Sequence, residues 1–252
     1  MPQPTLQAKP LLLPADFKAD MLLEANNIYK EFGDGEIGTL AINNVNFHAD
    51  EGEFIAVTGP SGCGKSTLLN IIGLLDIPSE GTYIFNGIDV SRFKENRRSA
   101  MRKGKIGFVF QNFNLIDGLT VFENVELPLK YMGISAKKRR EKVEEILDFM
   151  HLMHKTKLYP SQISGGQQQL TAIARAVVIS PELIIADEPT GNLDSKNGGK
   201  IMNMLLNLNN SGTTIIMATH SLRDSGYAHR IVSLFDGQII NEEIKRIYCR
   251  KE

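Results

Sequence analysis

Residues 59–67 read GPSGCGKST, and this stretch decides the fold class. It fits the pattern G-x-x-x-x-G-K-[ST], with an apolar run, Phe54–Thr58, before it and a predicted helix, Ser66–Leu75, after it. Glycines let backbone N–H groups surround phosphates, Lys65 supplies a cation, and Ser66 offers a hydroxyl to Mg²⁺. A glycine turn that binds nothing is the alternative, and the complete motif argues against it. Strand, loop and helix predict an α/β nucleotide-binding domain whose nucleotide contacts are Gly59, Pro60, Ser61, Gly62, Cys63, Gly64, Lys65, Ser66 and Thr67.

A second stretch, ELIIADEPTGNLD at residues 182–194, supplies the acidic groups that such a site needs. Its apolar residues predict a strand, and ligands bind at the carboxyl ends of strands in open α/β sheets. We predict that Asp187 holds Mg²⁺ through water and that Glu188 orients and polarises an attacking water. Taken alone, two acids after a strand are more typical of a helix N-cap pair. The phosphate loop upstream favours the catalytic interpretation.

Two further polar residues each follow an apolar run that predicts a strand. Gln111 follows KIGFVF, and its neutral amide can reach both a metal-bound water and the attacking water. His220 follows TTIIMAT, where an imidazole can contact the γ-phosphate. By itself, Gln111 is more typical of a surface residue at a strand end, and His220 is more typical of a hydrogen-bonded histidine without a catalytic role. We predict catalytic roles for both because the other motifs accompany them, and a metal contact for Gln111.

The composition is that of a globular protein. Of 252 residues, 42% are apolar and 23% charged, with a net charge of -1, so the charge balance does not indicate a nucleic-acid or anionic membrane surface. Of the two cysteines, Cys63 lies inside the phosphate loop, which suits a reducing compartment. No apolar run approaches the ~18 residues of a spanning helix, and no secretion signal is evident. We expect a flexible, proline-rich extension at 1–20 and a single domain at 21–252.

The remaining chain alternates between strand and helix patterns. The sequence predicts short strands from Met21 to about Phe54, a hairpin turn at Asn86-Gly87 and a final hairpin around Asp236-Gly237. From about Val121 to Leu158 the apolar residues follow helical spacing, with charge pairs four residues apart. This segment is predicted to be a helical insertion between strands.

The stretch ISGGQQQ, residues 163–169, opens another predicted helix with bare backbone N–H groups, which form an anion site. The order of glycine loop, glutamine, SGGQ, acidic strand end and histidine resembles the nucleotide-binding subunit of ABC transporters, over nearly all of Met21–Ile244. The resemblance implies a P-loop NTPase core with a mixed sheet, an N-terminal antiparallel β subdomain and a helical subdomain at about 112–176. It also implies ATP and Mg²⁺ as cofactors.

In that family two subunits pack head to tail, and each ATP lies between the phosphate loop of one and the SGGQ helix of the other. A symmetric dimer needs one copy of each half-site per chain. The resemblance therefore implies a homodimer on ATP binding. Phe32 matches the aromatic position that stacks on adenine, and Tyr29 is the second choice. The residues implied to contact the partner's nucleotide in trans are Ser164, Gly165, Gly166, Gln167 and Asp194.

Within the family, the chain looks most like the lipoprotein-release, macrolide-export and bacitracin-resistance type. This implies a cytoplasmic ATPase, peripheral on the inner face of the cell membrane, that drives an integral membrane permease. The resemblance implies no nucleic-acid partner. The alternative is a cell-division-type ATPase that signals through a membrane partner without transport. Soluble ATPases of DNA repair or translation carry long coiled-coil insertions or tandem cassettes, which this sequence lacks. The segment 113–122 is predicted to contribute to the permease-docking groove.

Three residues depart from the family pattern. Ile163 stands where leucine usually precedes SGGQ, and Ser221 stands where aspartate often follows the histidine. Leu170 replaces the arginine that usually follows the QQQ run, which removes a charge. The last change bears on turnover or dimer affinity rather than on ATP binding.

Overall fold

Two β-sheets and seven α-helices form the part of the chain, residues 21–33 and 38–245, that the computed structural model describes. The predicted extension at 1–20 and Cys249 lie outside these residues. The strands are β1 (Met21–Phe32), β2 (Thr39–Asp50), β3 (Phe54–Thr58), β4 (Glu80–Phe85), β5 (Ile88–Asp89), β6 (Ile106–Val109), β7 (Leu183–Asp187), β8 (Thr214–Ala218), β9 (Arg230–Phe235) and β10 (Gln238–Ile244). The helices are α1 (Lys65–Ile72), α2 (Glu95–Arg102), α3 (Val121–Tyr131), α4 (Ala136–Phe149), α5 (Gly165–Val177), α6 (Ser195–Asn210) and α7 (Leu222–Ser225).

The larger sheet is mixed, with strand order β10-β9-β3-β8-β7-β6. Strands β9, β3, β8, β7 and β6 run parallel, and β10 pairs with β9 in the antiparallel sense. The carboxyl ends of β3, β7 and β8 therefore reach the same edge of the sheet. This edge gathers the segments that follow those strands, which carry the predicted site.

The smaller sheet is antiparallel, with order β2-β1-β4-β5. The turn between β4 and β5 contains Asn86 with φ of 50° and Gly87 with φ of 71°, as the Asn-Gly pair predicts. The two observed sheets confirm the predicted fold class of a P-loop core with an antiparallel β subdomain.

Successive residues of β3 face two different apolar cores. Ile55 and Val57 pack in the core that includes the smaller sheet and α1, whereas Phe54 and Ala56 pack in the core that includes α3 to α6. All four are fully buried. A parallel strand that is buried on both faces has a continuous apolar sequence, which is why this strand and the loop after it are identifiable from the sequence.

Helices α3, α4 and α5 lie between β6 and β7 in the chain, in the region of the predicted helical insertion. A capping box opens α3, since the Thr120 hydroxyl accepts from the Glu123 N–H and the Glu123 carboxylate accepts from the Thr120 N–H. The boundaries proposed for this subdomain, 112–176, stay a prediction. Among the described residues, no helix has the length and apolar character required to cross a bilayer.

Two helices differ from the sequence-based expectation. Helix α1 ends at Ile72 rather than Leu75, because Gly73 forms its C-cap and Leu74 adopts a φ of 59°. Helix α2 was not predicted. None of its residues is buried, so its sequence has no apolar periodicity, and ion pairs from Glu95 to Arg98 and Arg102 support it instead.

Candidate nucleotide-binding site

The phosphate loop lies between β3 and α1 and packs against the start of β2. Gly64 has a φ of 102°, and a Cβ at this position would lie 2.5 Å from the Ala41 carbonyl oxygen. A Cβ at Gly59 would lie 2.1 Å from the Leu234 carbonyl oxygen. Only glycine fits either place, so the loop can hold its backbone N–H groups toward a phosphate. Around this cradle Cys63 is buried, whereas Pro60, Ser61, Gly62 and Ser66 are exposed.

Lys65 supplies the positive charge of the loop. Its ammonium donates to the Gly59 and Pro60 carbonyl oxygens at 2.9 and 2.8 Å, and the residue is only 9% exposed. The side chain therefore folds back along the loop, with its charge next to the cradle. This arrangement suits the phosphate groups of a nucleotide.

Ser66 and Asp187 meet across the interface of α1 and β7. The Ser66 hydroxyl donates to Asp187 Oδ2 at 2.7 Å. Two oxygen ligands next to a phosphate cradle fit Mg²⁺, which prefers oxygen and completes its shell with water and substrate phosphates. Within the described ranges, no group of three or more His, Cys, Asp or Glu could hold a metal by itself. A magnesium ion at this pair would therefore share its coordination with phosphate oxygens.

Glu188 and His220 form a second polar pair next to the first. Glu188 Oε1 accepts from the His220 backbone N–H at 3.1 Å and lies 2.8 Å from His220 Nδ1. The Glu188 side chain is 14% exposed, and that of His220 is 68% exposed. Glu188 also adopts a φ of 47°, a strained conformation for a residue with a side chain. The fold thus fixes this carboxylate at the end of β7, and the ring of His220 extends from it toward solvent.

Gln111 follows β6 and contacts the loop after Glu188 rather than the Ser66–Asp187 pair. Its backbone carbonyl accepts from Asn192 Nδ2 at 2.9 Å, and its Nε2 lies 3.5 Å from Asn192 Oδ1. In residues 21–33 and 38–245 no hydrogen bond joins Gln111 to Ser66 or Asp187. The metal contact and the catalytic role of Gln111 stay predictions.

The start of α5 and the start of α6 form a separate surface. Ser164 caps α5 in a capping box, and Asp194 caps α6 by accepting from the N–H groups of Lys196 and Asn197 at 3.0 Å each. The Asn197 N–H holds the pKa of Asp194 below its usual range. A Cβ at Gly166 would lie 3.1 Å from Asn197 Cγ, so the two helix starts are in contact. The predicted trans residues Ser164, Gly165, Gly166, Gln167 and Asp194 share this surface.

Phe32 lies at the end of β1 and pairs with Thr39, which stands two residues before the Ala41 that touches the phosphate loop. Its ring is 47% exposed, and Lys30 Nζ lies 5.0 Å from the ring centroid. An exposed aromatic face near the phosphate loop can stack on a base. Tyr29 is half-buried and less available for stacking.

Sequence reasoning missed two residues that join parts of this site. Asn192 links Gln111 to the loop after β7, and the fully buried Gln169 of α5 donates to the Pro189 carbonyl at 2.8 Å. Both stand within the motifs GNLD and QQQ, but the motifs do not indicate which distant residue each side chain contacts. The signal that finds Gln169 is the helical spacing of the apolar positions of α5.

Comparison with known proteins defines the class of this chain. Residues 42–191 match the family profile described as ABC transporter, so the chain belongs to the ABC transporter ATP-binding family. It is an ATP-binding ATPase of that family.

Three relatives illustrate the similarity. An uncharacterized ABC transporter ATP-binding protein of Methanocaldococcus jannaschii is 48% identical over 219 residues, which cover 87% of this chain and 98% of that protein. The macrolide export ATP-binding/permease protein MacB of Campylobacter jejuni is 42% identical over 87% of this chain, which spans 34% of that protein. A dimeric, post-hydrolysis structure of the cassette MJ0796, also from Methanocaldococcus jannaschii, bound to ADP and Pi, superposes with a TM-score of 0.83 at 43% identity and covers 90% of this chain and 100% of that one.

Proposed function

We propose that two copies of this chain close head to tail around two MgATP and drive a membrane permease of the export type. The observation that carries the proposal is the separation of two half-sites. Lys65, Ser66, Asp187 and Glu188 converge at one edge of the mixed sheet, whereas Ser164–Gln167 begin α5 and meet the start of α6, whose Asp194 lines a cavity with Glu188 and His220. Within the described residues, no hydrogen bond joins the second group to the phosphate loop. A second copy can bring them together.

The hydrolytic step falls to Glu188. Its carboxylate stands one residue beyond Asp187, and its strained backbone and the two contacts from His220 fix its direction. A carboxylate held there accepts a proton from, and orients, the water that attacks the γ-phosphorus. His220 directs one ring nitrogen to Glu188, so its other nitrogen is free to contact the γ-phosphate. Magnesium, when bound at Ser66 and Asp187, neutralises phosphate charge.

The partner half-site provides uncharged N–H groups and a capped helix start. The backbone N–H groups of residues 164–167, at the positive end of the helix dipole, precede the first intrahelical bond, which the Gln168 N–H donates to the Ser164 carbonyl. Ser164 and Gln167 satisfy only two of these donors between them. The remaining ones suit a γ-phosphate presented by another subunit. The dimeric structure of MJ0796 supports this assembly.

A permease requires a docking surface, and one apolar candidate is a groove beside the edge strand β6. It has a volume of about 620 Å³. Phe108 and Phe110 stack at its base, with centroids 5.8 Å apart. Pro128 and Tyr131 of α3 form one wall, and Arg102 of α2 contributes to the other. Tyr131 is 73% exposed, an unusual position for a large ring.

This groove differs from the surface that the sequence indicates. None of the apolar residues of segment 113–122 lines it. Val121 is fully buried, and the buried Asn124 fixes the segment through hydrogen bonds to the backbone of Ile116, Leu119 and Thr120. The contribution of this segment stays a prediction, since Thr120 and Phe122 line a second groove of about 620 Å³, and we propose the groove beside β6 as the docking surface.

The charge beside the groove indicates the chemistry of its occupant. Arg175 lies in an adjoining cavity that shares Phe108, Phe110 and Pro128 with the groove. It donates to the carbonyls of Phe113 and Asn114, and burial lowers its pKa. None of the salt bridges in the described part of the chain involves Arg175. We propose that an amphipathic cytoplasmic helix of the permease, with an acidic residue, occupies the groove.

The transported compound belongs to the export class. MacB is a macrolide export protein that combines an ATP-binding part with a permease, and this chain aligns with 34% of that protein. This supports a system that extrudes lipoproteins or antimicrobial compounds, with the present chain peripheral at the cytoplasmic face of the membrane.

The test uses Glu188→Gln with ATP. We expect the variant to bind ATP, to lose at least about a hundredfold in turnover, and to elute as a dimer on size exclusion. Glutamine keeps the shape of the side chain but cannot accept the proton, and it removes repulsion from the γ-phosphate. A monomeric variant with full turnover would remove Glu188 from this role.

A further inference from the structure

Gln169 is a buried polar residue that the proposed hydrolytic mechanism does not use. It lies in α5 with no exposed surface, and its Nε2 donates to the Pro189 carbonyl at 2.8 Å. Its Oε1 is buried and has no hydrogen-bond partner among the described residues. An unsatisfied buried oxygen costs stability, which a methionine of similar size avoids. The role of Gln169 therefore depends on the hydrogen bond that its Nε2 donates.

The acceptor of this bond adjoins the proposed catalytic carboxylate. Pro189 follows Glu188 directly, and Gln169 is the one donor to its carbonyl in the described ranges. Nearby, the Glu188 N–H donates to the Ala218 carbonyl and the Gly191 N–H to the Glu188 carbonyl, both at 3.0 Å. With Glu188 at a φ of 47°, the turn is strained, and such a turn persists only where several contacts hold it.

Helix α5, which carries Gln169, begins at the surface proposed to face the partner subunit. Ser164 caps the same helix five residues earlier, about 7.5 Å along the axis at the rise of an α-helix. A helical turn transmits a shift with little loss, because its backbone hydrogen bonds hold it rigid. A displacement of Ser164–Gln167 therefore reaches the Pro189 carbonyl through one side chain.

We propose that Gln169 is a positioning residue that couples the partner's nucleotide, bound at the start of α5, to the orientation of Glu188 in its own chain. The proposal rests on the proposed function, since it requires the trans contact and the catalytic role of Glu188. In this arrangement each chain senses ATP in one site and adjusts the carboxylate of the other. The two sites of the dimer are thus coupled through two copies of one hydrogen bond.

The first test is Gln169→Met, with Gln168→Met as the matched control. Gln168 is only partly buried and donates to the Ile163 carbonyl, with no contact to the loop after Glu188. We expect Gln169→Met to lower kcat at least about tenfold, to leave KM for ATP within about threefold, and to leave the thermal midpoint unchanged. The control should keep wild-type kcat. Wild-type kcat in Gln169→Met, or a loss accompanied by a lower midpoint, would overturn the proposal.

The second test is Gln169→Glu, because the introduced carboxyl can donate only when protonated. Burial raises the pKa of such a group, so its activity relative to wild type should rise as pH falls from about 9 to about 6. A constant ratio across this range, or a ratio that changes only together with the thermal midpoint of the variant, would also overturn the proposal. Glu188→Gln distinguishes a failure of the proposed function from a failure of the coupling. If Glu188→Gln loses turnover while both Gln169 variants keep theirs, only the coupling through Gln169 is wrong.

Discussion

Lys65→Ala should abolish tight MgATP binding without unfolding the protein. The ammonium donates two hydrogen bonds along the loop, at 2.9 and 2.8 Å, and exchanges these carbonyl partners for phosphate oxygens. A hydrogen bond to a charged group is worth about 1.5–3 kcal/mol. We take the lower bound for each of two bonds, because binding gives up the two carbonyl contacts. The loss of MgATP binding free energy is then about 3 kcal/mol, or about 150-fold in Kd.

The fold of the variant should be intact. Lys65 is the first residue of α1, alanine is the best helix former, and Gly64 makes no side-chain cap that the change removes. Calorimetric titration with MgATP measures the loss, and thermal unfolding checks the fold. Lys142→Ala, on the exposed part of α4, is the control and should bind as wild type does. A Kd for Lys65→Ala within about threefold of wild type would refute the reasoning, because charge at the cradle would then contribute almost nothing.

Three further predictions test other parts of the account. Tyr131→Glu should spare ATP binding but reduce recovery of the permease on co-purification from membranes. Phe149→Glu, which changes another exposed ring of the helical region, should leave recovery unchanged. Equal recovery with both variants would place docking elsewhere. Asp187→Asn should raise the Mg²⁺ concentration for half-maximal turnover at least about tenfold, and an unchanged value would separate this carboxylate from the metal. Burial lowers the pKa of His229, whose Nδ1 accepts from the Phe54 N–H, so the neutral form is favoured in the fold. The contribution of His229 to the free energy of unfolding is present above a pH of about 6.5 and is lost as pH falls through the lowered pKa. Chemical denaturation should therefore show that His229→Gln loses less stability than wild type on acidification. An equal loss in both proteins would contradict this.

The phosphate loop and the parallel strands could be predicted because their sequences are constrained at each position. The loop tolerates only glycine where Gly64 meets Ala41, and β3 is apolar throughout because both of its faces are buried. Each of these constraints limits the residue type at its position, so it is visible in the sequence. The fold class and the family followed from them.

Contacts between distant segments could not be predicted in the same way. Asn192 bonds to residues 80 and 81 positions away, and Gln169 bonds to a residue 20 positions away; a polar letter does not reveal such partners. The place of the docking groove stays a prediction. Asn124 holds segment 113–122 through hydrogen bonds to its backbone, and Phe122 of the segment lines one groove, while the groove beside β6 is assembled from β6, α2 and α3.

The head-to-tail arrangement is the central claim, and mixing two inactive variants tests it most directly. Lys65→Ala removes the phosphate cation of a chain's own site, and Ser164→Arg blocks the half-site that faces the partner. In an equal mixture, half of the dimers are mixed, and each mixed dimer keeps one intact composite site. We predict turnover above the sum of the separate variants and at most about a quarter of wild-type ATP turnover, because the mixed dimer lacks the second nucleotide that acts through Gln169. Turnover no greater than the sum of the separate variants would contradict it, because both half-sites would then belong to one chain.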